Sequence, residues 1–386
     1  MKVVSVEAIP FALPVRREFR WNGLLQALGQ FVLVRITTDN GLVGYGEAVP
    51  LPDWGGDFGR RAGETRATVL SIVHGQLAPA IMGRDPNSIG EAVAAMERVV
   101  VGHTYAKCAV EMAFHDLWGK AVGQPLYRLL GGSVRDGVAV AHMVGLMSHD
   151  EAVAEAVAAV SDGVQALQIK GGEDGERDVK LVRELRRRFG PKILLRLDAN
   201  QGYGSAKRAL GILSNFAPGE LDFVEQPVEG IGQMAGARRG TSIPVVADES
   251  CWTPRDALEV VQAEAADCIS IYLAKAGGLR SASAVAAIAQ AANLVCDVNG
   301  SIESGIGNAA NVHFAISTSA VTLPAVIPIS APAGQHPCRV GGNYFEDDIV
   351  TKAFPFRNGK MRPPEGPGLG FQIDERKLEK FRQPAC

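Results

Sequence analysis

The chain reads as an α/β barrel of eight parallel strands preceded by an α+β domain, and three observations predict this. From Val138 onward, short apolar runs alternate with helical segments, the pattern of consecutive βα units. Three successive runs stop abruptly at a carboxylate: Ile193 to Leu197 before Asp198, Leu221 to Val224 before Glu225, and Ile243 to Ala247 before Asp248. Short, largely apolar runs suit strands buried on both faces of a parallel sheet. Ahead of Val138 the pattern differs, with strands over the first fifty residues and helices after them.

Taken in order, Val3 to Pro10 and Gln30 to Thr38 read as strands, and Asp39-Asn40-Gly41 is a hairpin turn returning a third strand over Leu42 to Val49. Two long loops interrupt this region. Val15 to Gly29 carries Arg16, Arg17, Arg20 and Trp21, and Pro50 to Gly63 carries Asp53, Trp54, Arg60 and Arg61. Long loops in compact domains tend to be functional, although composition alone is equally consistent with solvated connectors. Helices are predicted over Glu64 to Ala80, with Pro79 marking the end, from an Asn87-Ser88 cap to Val101, and over Ala106 to Val122, the last apolar on most faces and so buried. A break at Gly131-Gly132-Ser133 sets the domain limits at 1–132, 133–340 and 341–386.

The first barrel strand is Val138 to Val144. Ser148-His149-Asp150-Glu151 then caps a helix with a serine and an acid three residues on. The second strand, Ala166 to Lys170, ends on a lysine. The three carboxylate strands follow. The sixth, Asp267 to Leu273, leads into Lys275-Ala276-Gly277-Gly278, and the seventh, Asn293 to Val298, leads into Asn299-Gly300-Ser301. The eighth lies within Ala320 to Ile329, and eight strands with right-handed crossovers close as a barrel. The tail from Gly341 has strand character over Tyr344 to Val350 and Lys352 to Phe356, and is expected to pack back on the N-terminal domain. The run Arg183 to Arg188 reads as the solvated face of a barrel helix.

Composition excludes several classes. With 386 residues, 47% hydrophobic and 21% charged, the chain supports a large core of ordinary globular type. A net charge of −3 gives no electrostatic reason to expect nucleic acid or an acidic membrane surface. The cysteines at 108, 251, 268, 296, 338 and 386 form no Cys-x-x-Cys pair, so no zinc or redox motif is read. No apolar run reaches membrane-spanning length, the N-terminus lacks a signal peptide's apolar block, and a reducing cytoplasm is the expected location.

Acids at the carboxyl ends of consecutive parallel strands converge on the mouth of a barrel. Three carboxylates with water completing an octahedron suit Mg²⁺, so Asp198, Glu225 and Asp248 are the candidate metal ligands; the plain alternative is loop acids that cap helices. Lys170 closes the strand before the first of them and would face the same mouth. A nearby divalent cation disfavours a second positive charge, which would tune this lysine toward a base. The metal would bind a substrate carboxylate and stabilise the enediolate left when its α-proton departs. A salt bridge from Lys170 to Asp198 is the structural alternative, and the two are compatible.

The chain at this point resembles the enolase superfamily, in its muconate lactonizing enzyme (mandelate racemase/muconate cycloisomerase-like) subgroup. The resemblance rests on Ala106 to Gly132, Leu167 to Gly171, Leu195 to Asn200, Asp222 to Pro227, Ala247 to Ser250, Lys275 to Leu279, Gly300 to Gly307 and Pro363 to Gly370. It implies a TIM-type barrel of modified (β/α)7β form, capped by an α+β domain that the C-terminal tail completes. It also implies one Mg²⁺ per subunit on Asp198, Glu225 and Asp248, a small carboxylate substrate, homo-oligomerisation, and a substrate-specificity role for the two long loops. Arg17, Trp21, Asp53 and Trp54 are then the specificity candidates. Asn200, Gln226 and Glu249 are expected to support the ligands, Glu303 is expected to face the mouth, and His142 is a further candidate for the pocket wall.

Two departures shape the functional expectation. The subgroup's Lys-x-Lys on the second strand is Gln168-Ile169-Lys170 here, so the catalytic lysine remains without its cationic neighbour. The family's opposite-face lysine, five residues before the Gly277-Gly278 pair, is Tyr272. Lys275 falls at a separate lysine position that is not usually the base, and Asn299 falls about where the mandelate racemase subgroup keeps a histidine. Lys170 and Tyr272 are therefore the expected catalytic pair. One strong base favours a dehydratase or cycloisomerase of a small organic acid. A racemase or epimerase of an amino-acid or hydroxy-acid derivative is the alternative, and a non-catalytic ligand-binding barrel is the second.

Overall fold

The computed structural model describes residues 1–24 and 27–384; Leu25 and Gln26 of the first long loop, and Cys386, lie outside the described residues. The chain begins with an antiparallel sheet of β1 (Val3–Ala12), β2 (Gln30–Thr38) and β3 (Val43–Ala48), in that order. The predicted second helix-containing layer follows. Its first helix is α1 (Arg66–Ile72), which runs through a π turn (Val73–Leu77) into α2 (Ala78–Ile81). Pro79 sits in the first turn of α2, where a missing N–H costs nothing, so it does not end the helix as expected. After α3 (Ile89–Val99) comes α4 (Thr104–Ala121), buried on nearly every face. It lies against β3 because Gly46 lets the backbones meet: a Cβ there would stand 1.9 Å from the Ala109 carbonyl oxygen. The short α5 (Leu126–Leu129) leads to the barrel.

The expected first barrel strand is two strands, β4 (Val138–Ala139) and β5 (Ala141–Val144). Only β5 joins the barrel; β4 pairs with a hairpin from the tail. Then follow α6 (His149–Ser161), capped by the expected Ser148–Glu151 box, β6 (Ala166–Lys170), α7 (Gly175–Phe189) and β7 (Leu194–Asp198). The alternation continues through α8 (Ala206–Leu213), β8 (Phe223–Glu225), α9 (Ile231–Gly240), β9 (Val245–Ala247), α10 (Pro254–Gln262) and β10 (Cys268–Ile271). A one-turn α11 (Leu273–Ala276) starts directly after Tyr272, before α12 (Leu279–Ala291), β11 (Val295–Val298) and α13 (Gly305–Ser317).

Strands β5 to β11 form one parallel sheet in sequence order. The expected eighth strand is not a continuous ladder. Parallel bridges tie Val321 to Cys296, Val326 to Asn299 and Ala325 to Val140, so residues 320–326 still join both edges of the sheet and close the ring. Pro324 and Pro328 have no N–H to give, which explains the broken ladder. The tail supplies β12 (Phe356–Arg357) and β13 (Lys360–Met361), which pairs with β4, and α14 (Glu375–Phe381), which packs beside β1. Tyr344 to Phe356 makes isolated bridges, not the longer strands expected. The five described cysteines are buried and unpaired. No helix among the described residues is long and apolar enough to cross a membrane.

Candidate active site

The sheet register places the chemistry. Lys170 on β6 stands opposite Asp198 on β7, and Asp198 opposite Glu225 on β8. Two residues earlier, Gln168 stands opposite Arg196. Side chains two apart on a strand share a face, so these form two stacked layers at the mouth. Asp248 follows the last residue of β9, beside them.

In the upper layer, the Lys170 ammonium donates to Asp198 Oδ2 at 2.5 Å and to Asn200 Oδ1 at 3.3 Å. The salt bridge left open by the sequence is thus present. Burial disfavours the charge on Lys170, but Asp198 and Glu225 outweigh it and hold the ammonium above the ordinary lysine range. Gln168 Nε2 bridges Asp198 Oδ2 (3.2 Å) and Glu225 Oε2 (2.8 Å), at the position of the first lysine of the Lys-x-Lys pattern. Lys275 is fully enclosed and donates to Asp248 Oδ1 (2.5 Å), to the Asp248 carbonyl (2.8 Å) and to that of Ser270 (2.9 Å). The Tyr272 hydroxyl donates to Asp248 Oδ2 at 3.3 Å. Asn299 Nδ2 reaches Glu225 Oε1 at 3.4 Å.

The lower layer holds a pair of residues that the sequence reading missed. Arg196, inside an apparently apolar run, bridges Glu225 Oε2 at 3.2 Å and also pairs with Asp297 on β11. All three side chains are essentially without solvent contact. The signal was a charged residue at the centre of a strand otherwise apolar throughout; its partner, a hundred residues on, could not be read from spacing.

The turns after the strands are strained and held. Asn200 and Gln226 have positive φ, of 41° and 36°. Gln226 offsets this by using its whole amide: Oε1 accepts from the Asp248 and Ser250 amides, and Nε2 donates to Ser250 Oγ and the Val228 carbonyl. Asn200 donates to Glu249 Oε1 at 3.0 Å, while Glu249 Oε2 is buried without a hydrogen-bond partner among the described residues.

Whether these residues suit a divalent cation can be judged from their chemistry. Three carboxylates end on adjacent strands, and burial together with mutual repulsion pushes Asp198 up to about 7. Burial raises Asp248 to about 6, against the opposing pull of Lys275. A cation between these carboxylates would offset both the burial and the repulsion, and the oxygen donors are of the kind Mg²⁺ prefers. The side chains are turned toward Lys170, Arg196 and Lys275, and among the described residues no three acids, histidines or cysteines are gathered closely enough to form a closed metal cluster. The donor set fits such an ion in kind.

Lys170, Tyr272, Gln168, Asn200, Asp248 and Asn299 line one small cavity, of about 30 Å³, with Trp21 and Trp54 from the two long loops. Lys170 Nζ lies 5.6 Å from the Trp21 ring centroid, and Trp54 packs on Tyr272 at 5.0 Å. Asn22 ties the first loop down, donating to the Asn200 carbonyl at 3.0 Å. Other expected residues lie elsewhere. His142 is buried behind β5, between Glu155 and Tyr344. Arg17 turns to Glu155 at 3.1 Å. Asp53 does not line the cavity. Glu303 sits behind the wall, accepting from the Ser301 amide at 3.0 Å, because Gly300 has no Cβ to exclude its carboxylate. The wall also includes Leu51, Met143, Ser301, Ile302 and Val326, which carry no motif visible in sequence.

Comparison with known proteins agrees with this architecture. Residues 151–377 match the family model "Enolase C-terminal domain-like", and residues 25–131 match "Mandelate racemase / muconate lactonizing enzyme, N-terminal domain". The chain is 33% identical over 376 residues to the L-Ala-D/L-Glu epimerase of Bacillus subtilis (strain 168), covering 96% of this chain and 97% of that protein. It is 32% identical over 379 residues to muconate cycloisomerase 1 of Rhodococcus opacus, covering 97% and 96%. Among solved structures, the N-succinyl Arg/Lys racemase from Bacillus cereus ATCC 14579 superposes with a TM-score of 0.89 at 28% identity, over 99% of this chain and 98% of that one. The chain is an enzyme of the enolase superfamily and belongs to its mandelate racemase/muconate lactonizing enzyme subgroup.

Proposed function

We propose that the protein is a dehydratase or cycloisomerase of a small organic acid, with Lys170 handling the α-proton, Tyr272 on the facing side, and Mg²⁺ held by Asp198, Glu225 and Asp248. The observation that carries this is the asymmetry of the cavity: one amine and one phenol line it. A two-base racemisation needs a proton acceptor on each face. A phenol, with an ordinary pKa near 10, stays protonated at neutral pH and gives a hydrogen bond or a proton but does not take one, whereas the ammonium that Asp198 and Glu225 favour on Lys170 would be disfavoured once a divalent cation sat on those carboxylates. Elimination of a hydroxyl and ring-forming isomerisation each need one strong base, and a donor beside the departing group assists the first.

The bound cation would supply positive charge to the substrate carboxylate as the α-proton leaves. The remaining work falls to the chain. Asp198 and Asn200 fix where the Lys170 nitrogen sits, Gln168 holds two carboxylates in place without adding charge, and Lys275 with Tyr272 orients Asp248. Trp21, Trp54 and Leu51 cover the cavity and limit water.

Proton exchange at the substrate α-carbon in D₂O tests the base. Lys170→Ala should lower exchange by about 10²–10⁴-fold, the usual worth of general-base catalysis. Exchange that survives this change sinks the assignment. Tyr272→Phe should retain exchange and slow product formation; product recovered as the opposite α-epimer would replace this reading with the epimerase one.

A further inference from the structure

We infer that the substrate is a monocarboxylate whose α-substituent is uncharged and apolar, an inference that rests on the reaction site proposed above. The cavity lining is of three kinds. Lys170 and Asp248 are the only charged residues among its described lining. Trp21, Leu51, Trp54, Met143, Ile302 and Val326 are apolar or aromatic. The neutral polar side chains already have partners: Gln168 and Asn299 with Glu225, Asn200 with Glu249, Tyr272 with Asp248, and Ser301 with the Tyr105 hydroxyl.

A second substrate charge would need a counter-charge, because an ion moved from water into such walls without a partner is strongly disfavoured. Of the three arginines of the first loop, Arg20 is exposed and the other two are occupied elsewhere. Arg16 Nη2 and Arg17 Nη2 both bind Glu155 Oε1, at 2.5 and 3.1 Å, and His142 Nε2 meets the same oxygen at 3.1 Å. The Arg16 Nε also donates to the Asn343 carbonyl, and the Arg17 guanidinium stacks 3.8 Å over the Phe19 ring. From the second loop, Arg61 is bound to Asp256 at 2.5 Å and lies 5.1 Å over the Trp252 ring. Glu155 therefore acts as an anchor: it draws both arginines behind β5, so that Trp21, a few residues on, is the group the loop presents to Lys170. The loop contributes an apolar wall to selectivity where its composition promised positive charge.

The test is direct binding to the Mg²⁺-supplemented protein, read by tryptophan fluorescence, with three 2-hydroxy acids of similar length. 2-Hydroxy-4-methylpentanoate has an apolar side group, 2-hydroxyglutarate a second carboxylate, and 2-hydroxy-6-aminohexanoate an ammonium. The apolar acid should bind about tenfold or more tighter than either charged one. Met143→Arg, which places a cation on the apolar wall, should shift the preference toward 2-hydroxyglutarate by about tenfold. Tighter binding of the diacid or the ammonium acid by the unaltered enzyme overturns the inference, as does failure of the apolar acid to bind at millimolar concentration. The wild-type ranking decides the matter even if Met143→Arg does not fold. An apolar acid that binds but exchanges no α-proton would uphold this inference and defeat the proposed reaction, so the two failures are distinct.

Discussion

Replacing Arg196 by methionine keeps the length of the side chain and removes a guanidinium that serves two buried carboxylates. Arg196 lies beneath the reaction layer, 3.2 Å from Glu225 Oε2 and paired also with Asp297, and the side-chain exposures are 2% for the arginine and 0% for both acids. Burial alone pushes the Asp297 carboxyl up; Arg196 is the main force pulling it down. Without the arginine, Asp297 and Glu225 must share a dry interior as like charges, or one must take up a proton. Breaking a buried ion pair from one side costs about 3–5 kcal/mol. The unfolding entropy of a chain of 386 residues is about 0.8 kcal/mol per degree, so the melting temperature should fall by about 4–6 °C. Differential scanning calorimetry on matched protein concentrations reads this shift. Adding Asp297→Asn to the variant removes the stranded charge and should return about half of the loss. A fall of less than about 1 °C in Arg196→Met, or no recovery in the double variant, would refute the idea that this arginine neutralises the floor of the site.

Other outcomes follow from the same structure. Mg²⁺ at about a hundred times its dissociation constant should raise the melting temperature by about 3 °C, and Asp198→Asn should abolish the rise; an equal rise in both proteins would place the ion elsewhere. Gly46→Ala drives a Cβ to 1.9 Å from the Ala109 carbonyl and should cost about 2 kcal/mol or more, visible as a lowered denaturation midpoint; an unchanged midpoint would show that β3 and α4 separate freely. His313 is buried and neutral: its Nδ1 accepts from the Tyr127 amide and its Nε2 donates to the Leu369 carbonyl. Burial lowers its pKa to about 4 from the ordinary 6.5, so as pH falls the unfolded chain takes the proton first. Its contribution is intact above pH 6.5 and is lost between 6.5 and 4, up to about 3 kcal/mol. His313→Gln should flatten the fall of melting temperature across that window, and an unaltered slope would sink the assignment.

The strand ends were legible because a parallel barrel imposes a simple grammar: apolar residues until the rim, then a polar group. Asp198, Glu225, Asp248 and Lys170 stand at such ends; Tyr272 was singled out by the family resemblance, from its distance to Gly277. Arg196 and Asp297 broke the grammar from inside the strands, and their reason is a contact between β7 and β11 that local spacing cannot reveal. The direction of Arg17 and His142 was equally hidden. Composition showed a basic loop and a histidine at a strand end; only the fold brings Glu155 of α6 under both. The eighth strand closes the ring where the sequence places it, but Pro324 and Pro328 withhold the N–H groups that a regular ladder needs.

That irregular closure divides the labour around the ring. Glu225 is on β8, the middle strand of the seven and the one farthest from the join between β11 and β5. Val326, at the join, is held by bridges interrupted by proline and forms part of the cavity wall. A change of side chain at 326 therefore acts on the least constrained staves of the barrel and leaves the ladder beneath the carboxylates untouched. The cavity wall can change at the join while the carboxylates at the ends of β7, β8 and β9 stay in place on the opposite side, so one scaffold can reshape its wall without rebuilding its centre.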